Sequence, residues 1–233
     1  MILPRLALVL SVAGFLAAQS KPAPEVELAT TTRVDFPAGG TLHLERAIGE
    51  VTVEGWDRSD MEMTVSKAPP LAYNAQWKPR PAPNQELEKV GVEAVRQGNE
   101  VIVHTSLPRR SHVWLNYRIF VPRSAALVVD RSSGEVHVED VAGDIRASTR
   151  QGEISLLLPS AGQYAIDART KFGDVYSDYP GAERRRFWLV GHRFVPEGES
   201  GGHKLFLRAD YGDIIIQKVR RVPYPAPLAK SKP

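Results

Sequence analysis

Six carboxylates in this chain stand in the same local phrase, Gly, then Asp or Glu, then Val or Ile, and their spacing decides what chemistry is open to them. The phrases are Gly49-Glu50-Val51, Gly134-Glu135-Val136, Gly143-Asp144-Ile145, Gly152-Glu153-Ile154, Gly173-Asp174-Val175 and Gly212-Asp213-Ile214. Those at Gly134, Gly143 and Gly152 follow one another at nine-residue intervals. If alternate phrases fall on one side of the molecule, Glu135 and Glu153 stack one layer apart, about 5 Å. Two carboxylates that close repel, and they share a proton or hold Ca²⁺. Against that stand Arg131, Arg150 and Lys171 just before the corners, which partly neutralise acids that are simply solvated. Such exposed pairs contribute roughly 0 to 1 kcal/mol. Calcium-binding repeats use a Gly-Gly-x-Gly-x-Asp nonapeptide, which is missing. The acids are read as solvated turn residues, and no metal site and no cofactor is expected.

Polysaccharide cleavage needs paired carboxylates at a defined gap on one exposed face. The positions three after each Gly are Thr52, His137, Arg146, Ser155, Tyr176 and Ile215, which form no acid/base pair. The six His lie at unrelated spacings, and Gly-x-Ser-x-Gly, His-Glu-x-x-His and phosphate-loop motifs are absent. No catalytic residue is assigned, and the chain is expected not to be an enzyme. A second cluster lies between 180 and 203, where Arg184, Arg185, Arg186, His192 and Arg193 interleave with Phe187, Trp188 and Phe194. Arg184, Arg185, Arg186 and Trp188 are the candidate contacts for an anionic glycan or lipid headgroup, by guanidinium pairing and aromatic stacking. The simpler reading, in which Trp188 and Val190 fill the end of the core and the arginines are solvated, is preferred.

Short strands and tight turns must position all of these residues. Two positions after the β-branched residue of each phrase the side chain is apolar again at Val53, Val138, Ala147, Leu156 and Ile216, with Ser177 the exception. Five and seven positions before each Gly the pattern recurs, as in Leu42/Leu44, Leu127/Val129, Ile166/Ala168 and Leu205/Leu207. Alternation of this kind describes strands broken at a Gly-acid corner. At that corner Gly49, Gly134, Gly143, Gly152, Gly173 and Gly212 are expected to supply φ > 0 without steric cost. One strand and one turn cannot bury an apolar face alone, whereas stacked units can, which predicts an all-β, single-stranded β-helix or solenoid with irregular N-terminal strands. Gly162-Gln163-Tyr164 reads as a weakened unit with Tyr164 and Ile166 pointing inward.

Elsewhere the pattern is less regular. Residues 21–33 read as an extended leader, and three strands follow from Val34 to Val65. Five prolines between 68 and 83 exclude regular structure there. Glu86 to Arg96 is rich in helix formers, yet Val90, Val92 and Ala94, then Gln97-Gly98-Asn99, then Val101 and Val103, favour a hairpin. Val113 to Val121 is a strand closed by Pro122. The repeat is interrupted over 180–203, resumes at Leu205 and ends at Val219, before a basic, Pro-rich tail over 220–233 that is expected to be disordered.

The chain has 233 residues, 42% of them hydrophobic and 24% charged, enough for a substantial core. A formal charge of only +3 argues against dedicated nucleic-acid binding. Without a cysteine there is no disulfide, thiolate zinc site or thiol nucleophile. Arg5, the apolar run Leu6 to Ala18 and the small residues Ala17-Ala18-Gln19-Ser20 predict a signal peptide over 1–20, cleaved between Gln19 and Lys21. An extracytoplasmic location follows from that expectation.

Three phrases carry a family resemblance. Gly49-Glu50-Val51-Thr52-Val53-Glu54-Gly55-Trp56-Asp57, then Tyr117-Arg118-Ile119-Phe120-Val121-Pro122, then Gly201-Gly202 leading through Leu205 and Leu207 into Gly212-Asp213-Ile214, resemble the bacterial putative-adhesin domain family. The resemblance spans roughly Val34 to Lys218. It implies an exported, β-solenoid-like envelope protein without established enzymatic activity. Its expected role is structural or surface-interacting, with an anionic glycan, a lipid headgroup, another envelope protein or a second copy of itself as partner. A carbohydrate-active or glycan-binding protein is the alternative.

Overall fold

A computed structural model describes residues 28–68, 87–108, 113–185, 191–197 and 201–219. The predicted signal peptide, most of the Pro-rich loop and the basic tail lie outside the described residues. Apart from one helical turn at 87–88, the regular structure described is all β. In chain order the strands are β1 (Leu28–Asp35), β2 (Thr41–Ile48), β3 (Glu50–Trp56), β4 (Asp60–Ala68), β5 (Gly91–Gln97), β6 (Glu100–Ser106), β7 (Trp114–Pro122), β8 (Ala126–Ser133) and β9 (Val136–Glu139). They continue as β10 (Ile145–Gln151), β11 (Ile154–Pro159), β12 (Tyr164–Phe172), β13 (Val175–Ser177), β14 (Gly181–Arg185), β15 (His192–Pro196), β16 (His203–Tyr211) and β17 (Ile214–Val219).

These strands form two open sheets, ordered β1-β4-β7-β3-β9-β11-β17-β13 and β14-β15-β12-β16-β10-β8-β2-β6-β5. Each Gly-acid corner except that at Gly143 passes the chain from the second sheet to the first: β2 to β3, β8 to β9, β10 to β11, β12 to β13 and β16 to β17. The resulting two-strand rungs stack in parallel, with Val51 beside Val136, Val136 beside Ile154, Ile154 beside Ile214 and Ile214 beside Val175. Alternation then does the packing. Leu42, Leu127, Ile145, Leu205 and Ile166 point inward from one sheet, Val51, Val136, Ile154, Ile214 and Val175 from the other, and all are buried. Each such aliphatic side chain contributes about 1.5 to 3 kcal/mol relative to exposure.

An uninterrupted single-stranded helix would stack its rungs in chain order, and this protein departs from that in three ways. The β16–β17 rung lies between β10–β11 and β12–β13, with Leu205 beside both Ile145 and Ile166. A slot between β10 and β12 would expose unpaired backbone on both, and β16 fills it. Both sheets also end in antiparallel strands, β1-β4-β7 in one, and β14-β15 and β5-β6 in the other. The sheets are therefore mixed and not closed. Finally, Leu28 to Arg33, within the stretch expected as an extended leader, is extended and laddered onto β4 as part of β1, from Leu28–Lys67 to Asp35–Asp60.

The hairpin expected after residue 86 is present as β5–β6, paired from Gly91–Ser106 to Gln97–Glu100. Tyr164 and Ile166 point inward as expected. Among the described residues no helix is long and apolar enough to cross a membrane.

Candidate functional site

The corner glycines fall into two groups. Gly49, Gly134, Gly152, Gly212 and Gly173 line one edge, and each has a positive φ, between 105° and 147°. At Gly134, φ is 114° and an added Cβ would lie 1.8 Å from the carbonyl oxygen of Gly49, so conformation and space both demand glycine. Gly143 lies on the opposite edge and corrects the sequence expectation, because its φ is not positive. Glycine is needed there because a Cβ would lie 2.1 Å from the carbonyl oxygen of Ala125.

The register places the acids of the first edge in one row, Glu50, Glu135, Glu153, Asp213 and Asp174, so alternate units do share a side. Partial burial raises the Glu153 pKa first, and the charges of Glu135 and Asp213 raise it further, with His137 working the other way. Arg131, expected to neutralise this row from outside, is instead buried behind it. Its Nη1 donates to the carbonyl of Glu135 at 2.7 Å and its Nη2 to that of Ser133 at 3.3 Å. Burial lowers its pKa to about 10, against the charges of Tyr117 and Glu50. Arg131 sits at an inward position of β8, which its charge concealed in the sequence. Lys171 pairs with Asp210 at 2.7 Å and not with a corner acid. Asp144, on the other edge, accepts the Lys204 backbone N–H at 2.9 Å.

The row ends in a group of residues drawn from several elements. Gly173 places Asp174 beside the β14–β15 hairpin, which supplies Glu183 and His192. His192 Nδ1 lies 2.6 Å from Glu183 Oε1 and 2.7 Å from Asp174 Oδ1. The backbone N–H of Val175 donates to Glu183 Oε1 at 3.0 Å, that of Asp174 to Asp213 Oδ1 at 2.9 Å, and the Tyr176 hydroxyl to Asp174 Oδ2 at 3.3 Å. Before the same corners, Phe172 and Tyr211 stack with centroids 4.8 Å apart and planes 9° from parallel. Register brings them together, since Phe172 pairs with Tyr211 across β12 and β16. Phe172, Tyr211 and Tyr176 are 49%, 53% and 53% exposed.

Arg184 is exposed on β14, and its backbone pairs with Arg193 on β15. Arg185 belongs to β14 and pairs with His192. Arg186 and Trp188 lie outside the described residues. Asp167 gathers Arg208 at 2.6 Å, Arg169 at 3.0 Å and Arg193 at 3.8 Å on the outer face of the second sheet. Burial pushes its pKa up, but the bonds and charges of Arg208 and Arg169 outweigh this and hold it below the ordinary value. The Asp174–Glu183–His192 group was missed because its members are nine residues apart along the chain. Only a hairpin closing against the corner brings them together. The aromatic pair could have been found by asking what stands one residue before each corner of this edge: Ile48, Ser133, Gln151, Phe172 and Tyr211.

The architecture is that of an all-β protein with two mixed sheets built on parallel rungs, and it has a likeness among solved structures. A putative cell adhesion protein from Clostridium sporogenes aligns over 83% of this chain and 100% of its own, at 12% identity and a TM-score of 0.50. A putative adhesin from Bacteroides fragilis covers 84% of this chain and 99% of its own at 10% identity, with a TM-score of 0.27. No protein-family model matches the chain, and no curated protein matches its sequence. At 12% identity the likeness to the Clostridium sporogenes protein concerns the fold alone.

Proposed function

We propose that the chain is an exported, non-enzymatic envelope module that works by surface contact, an adhesin-like member of the family its sequence resembles. The aromatic edge carries this reading. Phe172 and Tyr211 keep a stacked, half-exposed pair at a corner where solvation alone would favour polar side chains, and Tyr176 stands on the other side of that corner. Exposed aromatic surface grouped in this way is characteristic of binding sites. The name of the Clostridium sporogenes protein, a putative cell adhesion protein, supports the same reading. Within it, the parallel rungs are a short β-solenoid whose last rung is inserted out of order, and residues 1–20 direct export.

The neighbouring Asp174, Asp213 and Glu183 disfavour an anionic glycan at this edge, so an uncharged glycan whose C–H faces lie on the rings is the ligand class proposed. The test is glycan-array binding by the full chain and by Phe172→Ala/Tyr211→Ala. The double variant should lose binding and keep its melting temperature within a few degrees. Binding equal to wild type, or no glycan bound by either protein, would refute the glycan reading.

A further inference from the structure

We propose that Asp174, Glu183 and His192 form a site for a divalent transition-metal ion of the Zn²⁺ or Mn²⁺ class. Three separate elements, the Gly173 corner, β14 and β15, each contribute one ligand atom, and these atoms lie within 4.8 Å of one another. Both carboxylate oxygens approach the same imidazole nitrogen, at 2.6 and 2.7 Å. That nitrogen carries at most one hydrogen, so a proton serves one contact well and leaves the other strained. A metal ion between the three atoms serves all of them. Ligands about 2.0–2.2 Å from a tetrahedral ion stand roughly 3.3–3.6 Å apart, so the two carboxylates would draw back from the imidazole nitrogen by less than about 1 Å.

The surroundings favour a cation independently of these contacts. Asp213 adds a third carboxylate, accepting the Asp174 N–H at 2.9 Å, and it is next in the acid row to Glu153. Among the described residues no Lys or Arg forms a salt bridge with Asp174, Asp213 or Glu183. The ligand carboxylates are also held from behind, Glu183 at Oε1 by the Val175 N–H and Asp174 at its other oxygen, Oδ2, by the Tyr176 hydroxyl. Outer-shell bonds of this kind orient metal-binding side chains. One imidazole with two carboxylates suits Zn²⁺ or Mn²⁺ better than the all-oxygen preference of Ca²⁺. The His192 side chain is 14% exposed and that of Asp174 46%, which leaves an open side for the ion to enter and for water to complete its shell.

The test is isothermal titration of Zn²⁺, Mn²⁺ and Ca²⁺ into the full chain freed of metal, with parallel thermal melts. One Zn²⁺ or Mn²⁺ should bind per chain and raise the melting temperature, with Ca²⁺ much weaker. His192→Ala and Glu183→Gln should each weaken binding by about tenfold or more. His137→Ala, which removes an imidazole beside Glu139 elsewhere on the surface, should bind as wild type. If either ligand variant loses its β-type circular dichroism, Asp174→Asn takes its place. No stoichiometric binding to the wild type would overturn the proposal and leave His192 as a hydrogen-bonding partner of the two carboxylates. Undiminished binding in the ligand variants would overturn it as well.

Discussion

The two corner edges use one tripeptide for different physical reasons. On the edge of Gly49, Gly134, Gly152, Gly212 and Gly173, the backbone turns through positive φ, and each glycine after Gly49 nests against the carbonyl of the glycine beside it in the row. At Gly143, on the opposite edge, no such φ occurs, and the glycine only makes room for the carbonyl of Ala125. The acids differ too. Asp144 fastens a neighbouring strand through the Lys204 amide, whereas Glu135 and Glu153 face one another's charge. A motif identical in sequence therefore carries two conformational constraints on one edge and one on the other. The ligand-like cluster developed on the edge where the acids accumulate.

Alanine at each kind of corner measures that difference most strongly. Gly134→Ala meets the Gly49 carbonyl at 1.8 Å and must also hold a φ of 114°. Gly143→Ala meets the Ala125 carbonyl at 2.1 Å without that conformational demand. Both should be destabilised, and Gly134→Ala by about 1 to 3 kcal/mol more, the cost of holding a non-glycine residue in a sparsely populated region. Paired denaturant melts decide. Equal losses would mean that crowding alone governs both edges.

Much of this fold was legible because strand alternation and the Gly-acid phrase are local signals. Val136, Ile154 and Ile214 could be placed inward, and the stacking of Glu135 on Glu153 anticipated, from spacing alone. Rung order was not legible, since nothing in Leu205 or Leu207 says that β16 will slip between β10 and β12. That choice depends on which strand edge stands open once the β14–β15 hairpin has covered β12. The side of the sheet taken by Arg131 was obscured by its charge. Its inward parity matches Leu127 and Val129, and parity was the better guide. The candidate metal group was hidden for a third reason, because a hairpin contact joins its members and no spacing rule encodes that contact.

A smaller effect sharpens the comparison of the acids. Asp144→Ala removes the acceptor for the Lys204 N–H and should cost about 0.5 to 1.5 kcal/mol, an ordinary hydrogen bond. Asp144→Asn keeps an oxygen in the same place and should stay within about 0.5 kcal/mol of wild type. Thermal melts of the two variants check this. If Asn cost as much as Ala, charge rather than hydrogen bonding would be what Asp144 supplies.

The smallest effect has the opposite sign and belongs to the first edge. Burial, and then Glu135 and Asp213, raise the Glu153 pKa above its ordinary 4.5, so the folded state prefers the protonated acid. A raised pKa contributes stability that is present in full below the ordinary value and is lost as pH rises through the folded one. At neutral pH the ionised Glu153 therefore opposes folding slightly. Glu153→Gln removes that charge and should raise stability at pH 7, by no more than about 0.5 kcal/mol for a group only partly buried and screened by solvent. The gain should fade below about pH 4, where Glu153 is protonated in both states. Added salt should shrink only the part due to Glu135 and Asp213, because screening acts on charges and not on burial. Melts of both proteins at pH 4 and pH 7, each at low and high salt, read all three features. A loss of stability in Glu153→Gln at pH 7 would show that the carboxylate satisfies a partner within the protein that its charge serves.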